Sequence, residues 1–159
     1  MYQPQKSHTL EEAKRKLERY CVYQERSHKE VREKLRELRM IPLAIDEIIG
    51  HLIEHNFLNE ARFAQAFARG KFNIKKWGRN RIIRELKQRS ISAYNIKLGL
   101  KEITEEAYNE TFHSLAEKRW EQLASEVNLQ KKKKKFVDYM LYRGWESNRI
   151  WEKVGDFLN

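Results

Sequence analysis

Residues 31–52 read VREKLRELRMIPLAIDEIIGHL, and the placing of their apolar side chains decides the fold. Val31, Leu35, Met40, Ile45, Ile49 and Leu52 form a set that returns further along the chain as Ile82, Leu86, Ile91, Ile96, Leu100 and Ile103. It returns again, at unchanged spacing, as Phe136, Met140, Trp145, Ile150, Val154 and Phe157. Eighteen apolar residues at eighteen corresponding places mark an internal repeat. Within each copy, the first two residues are four apart and so are the fourth and fifth, which puts each pair on one helix face. The third residue of each set, Met40, Ile91 or Trp145, falls in the break between two helices.

Working outward, a further helix precedes each pair. It is marked by Ala13, Leu17 and Tyr20, then by Phe63, Ala64 and Phe67, then by Leu115, Trp120 and Leu123. The chain is thus expected to be all-α, with three tandem three-helix units at 1–59, 60–106 and 107–159. Units of that length bury little apolar surface alone, so neighbours should pack together. Helices are expected at about 9–24, 28–38, 42–55, 59–72, 77–89, 92–102, 104–126, 129–143 and 146–157. Thr9 with Glu12 and Ser27 with Glu30 have the spacing of capping boxes, and Pro42 and Ser92 suit helix starts. Gly144 suits a left-handed helix end; Arg39 and Ser90 stand in its place earlier, so those breaks need a costlier residue or another geometry.

The 159 residues include only two prolines and six glycines, and 35% are charged, a mixture that favours helix. Cys21 is the one cysteine, which excludes an intramolecular disulfide and a cysteine metal cluster. No apolar run approaches a membrane span, and residues 1–6 carry no hydrophobic signal core. A soluble protein of the bacterial cytoplasm is expected.

The net charge is +10, which favours an anionic partner: nucleic acid, an acidic protein face or a membrane surface. The excess is uneven. Residues 60–106 hold 12 basic and 5 acidic side chains, against 11 and 10 before them and 10 and 8 after them. Lys71, Lys75, Lys76, Arg79, Arg81, Arg84 and Lys87 make up most of it, opposed only by Glu85. Such a cluster can neutralise several phosphates without reading sequence; a solvated helix face is the plainer alternative. Gly78 could let a phosphate or a partner backbone approach the amides at the start of that helix, or could simply make a tight turn with Trp77 as a lid on the core.

Lys131, Lys132, Lys133, Lys134 and Lys135 form the densest like-charge run, fit for a second phosphate contact, an acidic protein face or solubility. Their mutual repulsion works against the helix there. The aromatics after them, including Phe136, Tyr139, Tyr142, Trp145 and Trp151, could stack on bases, though Phe136 and Trp145 fit the core repeat. His51 and His55 have a metal-binding spacing but no evident third ligand, so no metal or cofactor is expected. Phosphate loops, nucleophile elbows and framed carboxylate pairs are absent, and an enzyme is not expected.

Three stretches carry a family resemblance. Phe57-Leu58-Asn59-Glu60-Ala61-Arg62-Phe63-Ala64 resembles the signature of the RecX family, which usually has Asp where Glu60 stands. Arg26-Ser27-His28-Lys29-Glu30-Val31-Arg32-Glu33-Lys34-Leu35 is similar to the family's first-unit pattern, and residues 76–87 to its second. Ser90 stands where the family often has Gly. The resemblance covers roughly residues 10–103. It implies three tandem three-helix repeats in a curved modular rod that binds the RecA–DNA filament, inhibits or modulates its recombinase, ATPase and coprotease activities, and controls its assembly or disassembly; a monomer is expected. Weak, sequence-independent contact with single- or double-stranded DNA would accompany this. Two other readings remain open on the residues alone. A helix-turn-helix regulator could read bases with Asn80, Arg84 and Gln88, and a scaffold could bind proteins only, through grooves between units.

Overall fold

The computed structural model describes residues 7–159; residues 1–6, where no hydrophobic signal core is expected, lie outside the described residues. Among the described residues there are nine α-helices and no strands. They are α1 (Leu10–Tyr23), α2 (His28–Glu37), α3 (Pro42–Glu54), α4 (Glu60–Lys75), α5 (Arg79–Gln88), α6 (Ala93–Leu100), α7 (Glu105–Gln122), α8 (Leu129–Tyr142) and α9 (Ser147–Leu158). None is long and apolar enough to cross a membrane. Helix starts are set locally. Thr9, Ser27, Asn59, Ser92, Thr104 and Asn128 each accept a hydrogen bond from the backbone N–H three residues on, and Pro42 opens α3 with no donor to satisfy.

Of the eighteen repeat positions, fifteen are buried, and Met40, Leu100 and Phe157 are half-buried. The three breaks share one geometry. Arg39, Ser90 and Gly144 have φ of 61°, 59° and 96°. The next residue's N–H then reaches back to a carbonyl of the last turn: Met40 to Leu35, Ile91 to Leu86 and Trp145 to Met140, at 3.0–3.1 Å. The first two breaks therefore use the costlier residue and keep the Gly144 turn. A left-handed L-residue costs on the order of 1 kcal/mol, partly offset because glycine has more unfolded freedom to lose. Ser90→Gly is expected to stabilise the chain by about 0.5 kcal/mol. A higher urea midpoint at unchanged slope would show this; an unchanged midpoint would show that Ser90 is not strained.

The first unit has its own core, around Leu17, Leu35, Ile48 and Leu52. The second and third share one continuous core, which the aromatic residues of α7 bring about. Tyr108 and Phe112 are buried; the Tyr108 ring stacks 6.0 Å from Phe72 of α4 and lies 4.6 Å from Trp145. The first two units are joined by polar contacts: Arg62 Nε to Glu25 at 2.6 Å, Lys29 Nζ to the Gln88 carbonyl at 3.1 Å and Arg89 to Glu30 at 3.9 Å.

Inside the first unit, Glu18 of α1 accepts from Arg15 at 2.8 Å and meets His51 of α3 at 2.9 Å. The His51 hydrogen bond, then that of Arg15, holds the Glu18 carboxyl below its ordinary range. A lowered carboxyl pKa stabilises the fold above the unfolded value, and the gain is lost as pH falls through the folded one. The stability gap between the native chain and Glu18→Gln should therefore close on acidification from about pH 6 to pH 3. A gap independent of pH, in denaturation series across that range, would contradict it. Cys21 is buried, and burial pushes its thiol up to about 11, so it is protonated at neutral pH and acts as a small hydrophobe.

Candidate nucleic-acid interface

Helix α5 carries the core of the basic cluster. Ile82 and Leu86, four apart, are fully buried and set its inner face. Asn80, Arg84, Lys87 and Gln88 fall on the opposite side, all exposed along a shallow groove with Ile83. Lys75 and Lys76, at the end of α4, are exposed too, Lys76 beside a groove lined by α7 residues such as Glu110 and Lys118. Among the described residues, Lys75, Lys76, Arg84 and Lys87 enter no ion pair, whereas Arg69 and Arg89 nearby do. The half-buried Lys71 lies over the rings of Phe67 and Trp77, 5.5 and 5.0 Å from their centroids.

Arg79 and Arg81 have different surroundings. The Arg79 guanidinium pairs with Glu105 and, at 3.7 Å, with Glu146, and lies 3.8 Å from the Tyr108 centroid. Two carboxylates on one cation leave no local positive excess for a phosphate. Arg81 lies 4.2 Å from the Trp77 centroid and 4.6 Å from that of Tyr142, and donates to the Tyr142 carbonyl at 3.3 Å. Seven cations that look equivalent in sequence thus divide between an outward set and the joint with the third unit.

The start of α5 is closed by the chain itself. Gly78 N–H donates to the Arg143 carbonyl at 2.8 Å, Asn80 N–H to that of Gly144 at 3.0 Å, and Arg79 N–H to the Tyr108 hydroxyl at 3.0 Å. The reading that a phosphate meets these amides is corrected: the close approach through Gly78 is real, but the turn after α8 makes it. A Cβ on Gly78 would come 2.6 Å from Trp145 N, and one on Gly144 would come 2.5 Å from Arg81 N. Two glycines back to back therefore let two backbones share hydrogen bonds. Trp77 is half-buried against the shared core, as a lid. Trp145 is fully buried and donates from its indole to the Lys76 carbonyl at 3.2 Å. The Tyr108 hydroxyl donates to Glu146, and burial, more than any other influence, pushes its pKa up.

The lysine run is a continuous part of α8. Asn128 caps it through the Lys131 N–H at 3.1 Å. Lys134 pairs with Asp138 and Lys135 with Glu126, each at 2.7 Å, and Lys132 lies 4.1 Å from the Trp120 centroid. The Lys135 hydrogen bond, then the Asn128 N–H, pulls the Glu126 carboxyl down. These contacts offset the repulsion that works against the helix, and leave Lys131, Lys132 and Lys133 outside any ion pair among the described residues. His51 is turned to Glu18, and no group of three potential metal ligands lies together among the described residues.

The stretch 57–64 has an architectural role. Asn59 caps α4, and Glu60 accepts from Ser92 N–H at 3.3 Å and from the Asn95 amide at 2.5 Å, tying α4 to the start of α6. Phe63 and Ala64 are buried, and Arg62 reaches Glu25 and the Asn56 carbonyl. The extra methylene of Glu60 over aspartate suits that reach. Tyr108 and Glu146, which complete the joint, were not singled out by sequence; a buried aromatic on the long helix α7 was the available signal.

A family model for RecX, second three-helix domain, matches residues 59–100, which hold α4 to α6 and the outward cations. Regulatory protein RecX of Clostridioides difficile (strain 630) is 28% identical over 149 residues, 92% of this chain and 68% of that protein. Regulatory protein RecX of Clostridium acetobutylicum is 29% identical over 136 residues, and the chain spans only 61% of its length. The crystal structure of RecX from Lactobacillus salivarius superposes with a TM-score of 0.77 at 26% identity, covering 94% of this chain and 96% of that one.

Proposed function

Because this chain belongs to the RecX family, a family of regulatory proteins, we propose that it binds the RecA–DNA filament and inhibits its recombinase, ATPase and coprotease activities. The observation that carries the reading furthest is the outward set Lys75, Lys76, Arg84 and Lys87. These cations are exposed and outside any ion pair among the described residues, in the unit that the family model matches. Lys71, Lys131 and Lys133 extend it, and Arg79, paired with Glu105 and Glu146, acts by holding the second and third units in register. The chain works without catalysis of its own, as a cytoplasmic monomer. Lying across several recombinase subunits gives it avidity for filament over free RecA, because each further contact forms at high effective concentration. Its DNA contacts are to phosphates, weak and independent of sequence.

Co-sedimentation with cognate RecA tests this. Pelleting with RecA assembled on DNA, but not with RecA kept monomeric, is the expected result; equal binding to both would remove filament avidity. A helix-turn-helix reading keeps one specific support, since Asn80, Arg84 and Gln88 are all exposed on one side of α5. It requires that unrelated duplex fail to compete for a preferred site; full competition by any duplex is expected here.

A further inference from the structure

We propose that the seam between the second and third units is a seat for single-stranded nucleic acid, with the Tyr142 ring as its stacking surface and Arg81, Arg143 and Lys71 as its cations. The inference rests on the nucleic-acid half of the reading above and names the strand state that is held. Tyr142 ends α8 and is 68% exposed, so a large ring face is open to solvent. Arg81, from α5, lies over both this ring and that of Trp77, while its buried Nε has no hydrogen-bond partner. The Arg143 guanidinium lies 5.3 Å from the Tyr139 centroid, donates to the Lys75 carbonyl, and likewise has a buried Nε without a partner. Lys71 adds a third cation over Trp77 at 5.0 Å. None of the three meets a carboxylate in an ion pair among the described residues, although the chain satisfies Arg79, Arg89 and Arg149 nearby in that way.

Cations beside rings, left without counter-charges, fit a polyanion whose charges alternate with flat apolar faces. Single-stranded nucleic acid has that alternation, and its bases are free to stack. A duplex hides its base faces and would use the cations alone. An acidic polypeptide would meet the charges but leave the Tyr142 face unused. A guanidinium lying along a ring also keeps its in-plane N–H groups for a phosphate. The seat exists only while the two units are docked, since Arg81 and Tyr142 come from different units.

The test uses the full chain and a fluorescent thymidine oligomer of about 15 nucleotides, with a duplex of equal length as control, followed by anisotropy. Tyr142→Ala is expected to weaken oligomer binding about tenfold while leaving duplex binding unchanged. Tyr142→Trp should restore it. Because Tyr142 is exposed, the folded stability of both variants, checked by urea denaturation, should match that of the native chain. Oligomer binding by Tyr142→Ala equal to the native chain, or equal losses for oligomer and duplex, would overturn the proposal. So would polyglutamate displacing the oligomer as well as unlabelled oligomer does. Inhibition of RecA ATPase is measured on the same samples. Inhibition without Tyr142-dependent oligomer binding overturns the seat and leaves the filament reading standing; the opposite pattern supports the seat and overturns the filament reading.

Discussion

Gly78→Ala is expected to destabilise the chain by about 3 kcal/mol, near the upper end for a one-carbon insertion into packed structure. The added Cβ meets backbone, which cannot rotate away: the Gly144 carbonyl and Trp145 N, the latter at 2.6 Å. Relief requires the turn after α8 to move. That movement breaks the Gly78–Arg143 and Asn80–Gly144 hydrogen bonds and disturbs the packing of the fully buried Trp145. Gly144→Ala meets Arg81 from the other side and adds the cost of a left-handed alanine at φ 96°. The first unit, with a separate core, should be least affected. Urea denaturation followed by tryptophan fluorescence reports the joint well, because all four tryptophans lie in the second and third units. A native-like midpoint for Gly78→Ala would mean that the two backbones are not in contact.

The second large effect concerns binding. Reversing Lys75, Lys76, Arg84 and Lys87 together to glutamate is expected to weaken inhibition of the filament by a hundredfold or more, on the order of 1 kcal/mol per lost phosphate contact. The dependence of affinity on salt should flatten by about 0.9 per contact in the log–log slope. Stability should change little, since all four are exposed and outside any ion pair among the described residues. Arg79→Glu offers the contrast. It would put three carboxylates around Tyr108 and act through the fold, at a cost of about 2 kcal/mol after allowing for solvent screening. Equal loss of inhibition from the quadruple variant and from Arg79→Glu, both fully folded, would mean that the pairing of Arg79 has no bearing on its role.

The helical architecture was open to reading because its causes are local. The i,i+4 apolar pairs, six side-chain caps and Pro42 all act within a turn of the residues they affect. The corners were legible only in part. Gly144 announces a left-handed turn, but Arg39 and Ser90 hold the same one against their own preference, for the sake of packing that spans the unit. The basic patch was legible as charge and not as geometry. Glu105, at the start of α7, and Glu146, just before α9, occupy Arg79, and nothing near Arg79 in sequence announces them. Gly78 marks in sequence a place where backbone can come close, and the backbone that comes is the chain's own Gly144 corner. Tyr108 falls outside the repeat because it faces Phe72 of the second unit as well as Trp145 of its own, and Ile48, Phe72 and Phe112 are buried positions that the repeat does not mark either.

DNA-dependent ATP hydrolysis and strand exchange by cognate RecA, measured as the folded chain is titrated in, test filament regulation most directly. On the proposed reading, inhibition should be complete well below one copy per recombinase subunit, since a chain lying across several subunits would block their growth or turnover. Undiminished hydrolysis and exchange at saturating concentrations of the folded protein would contradict it.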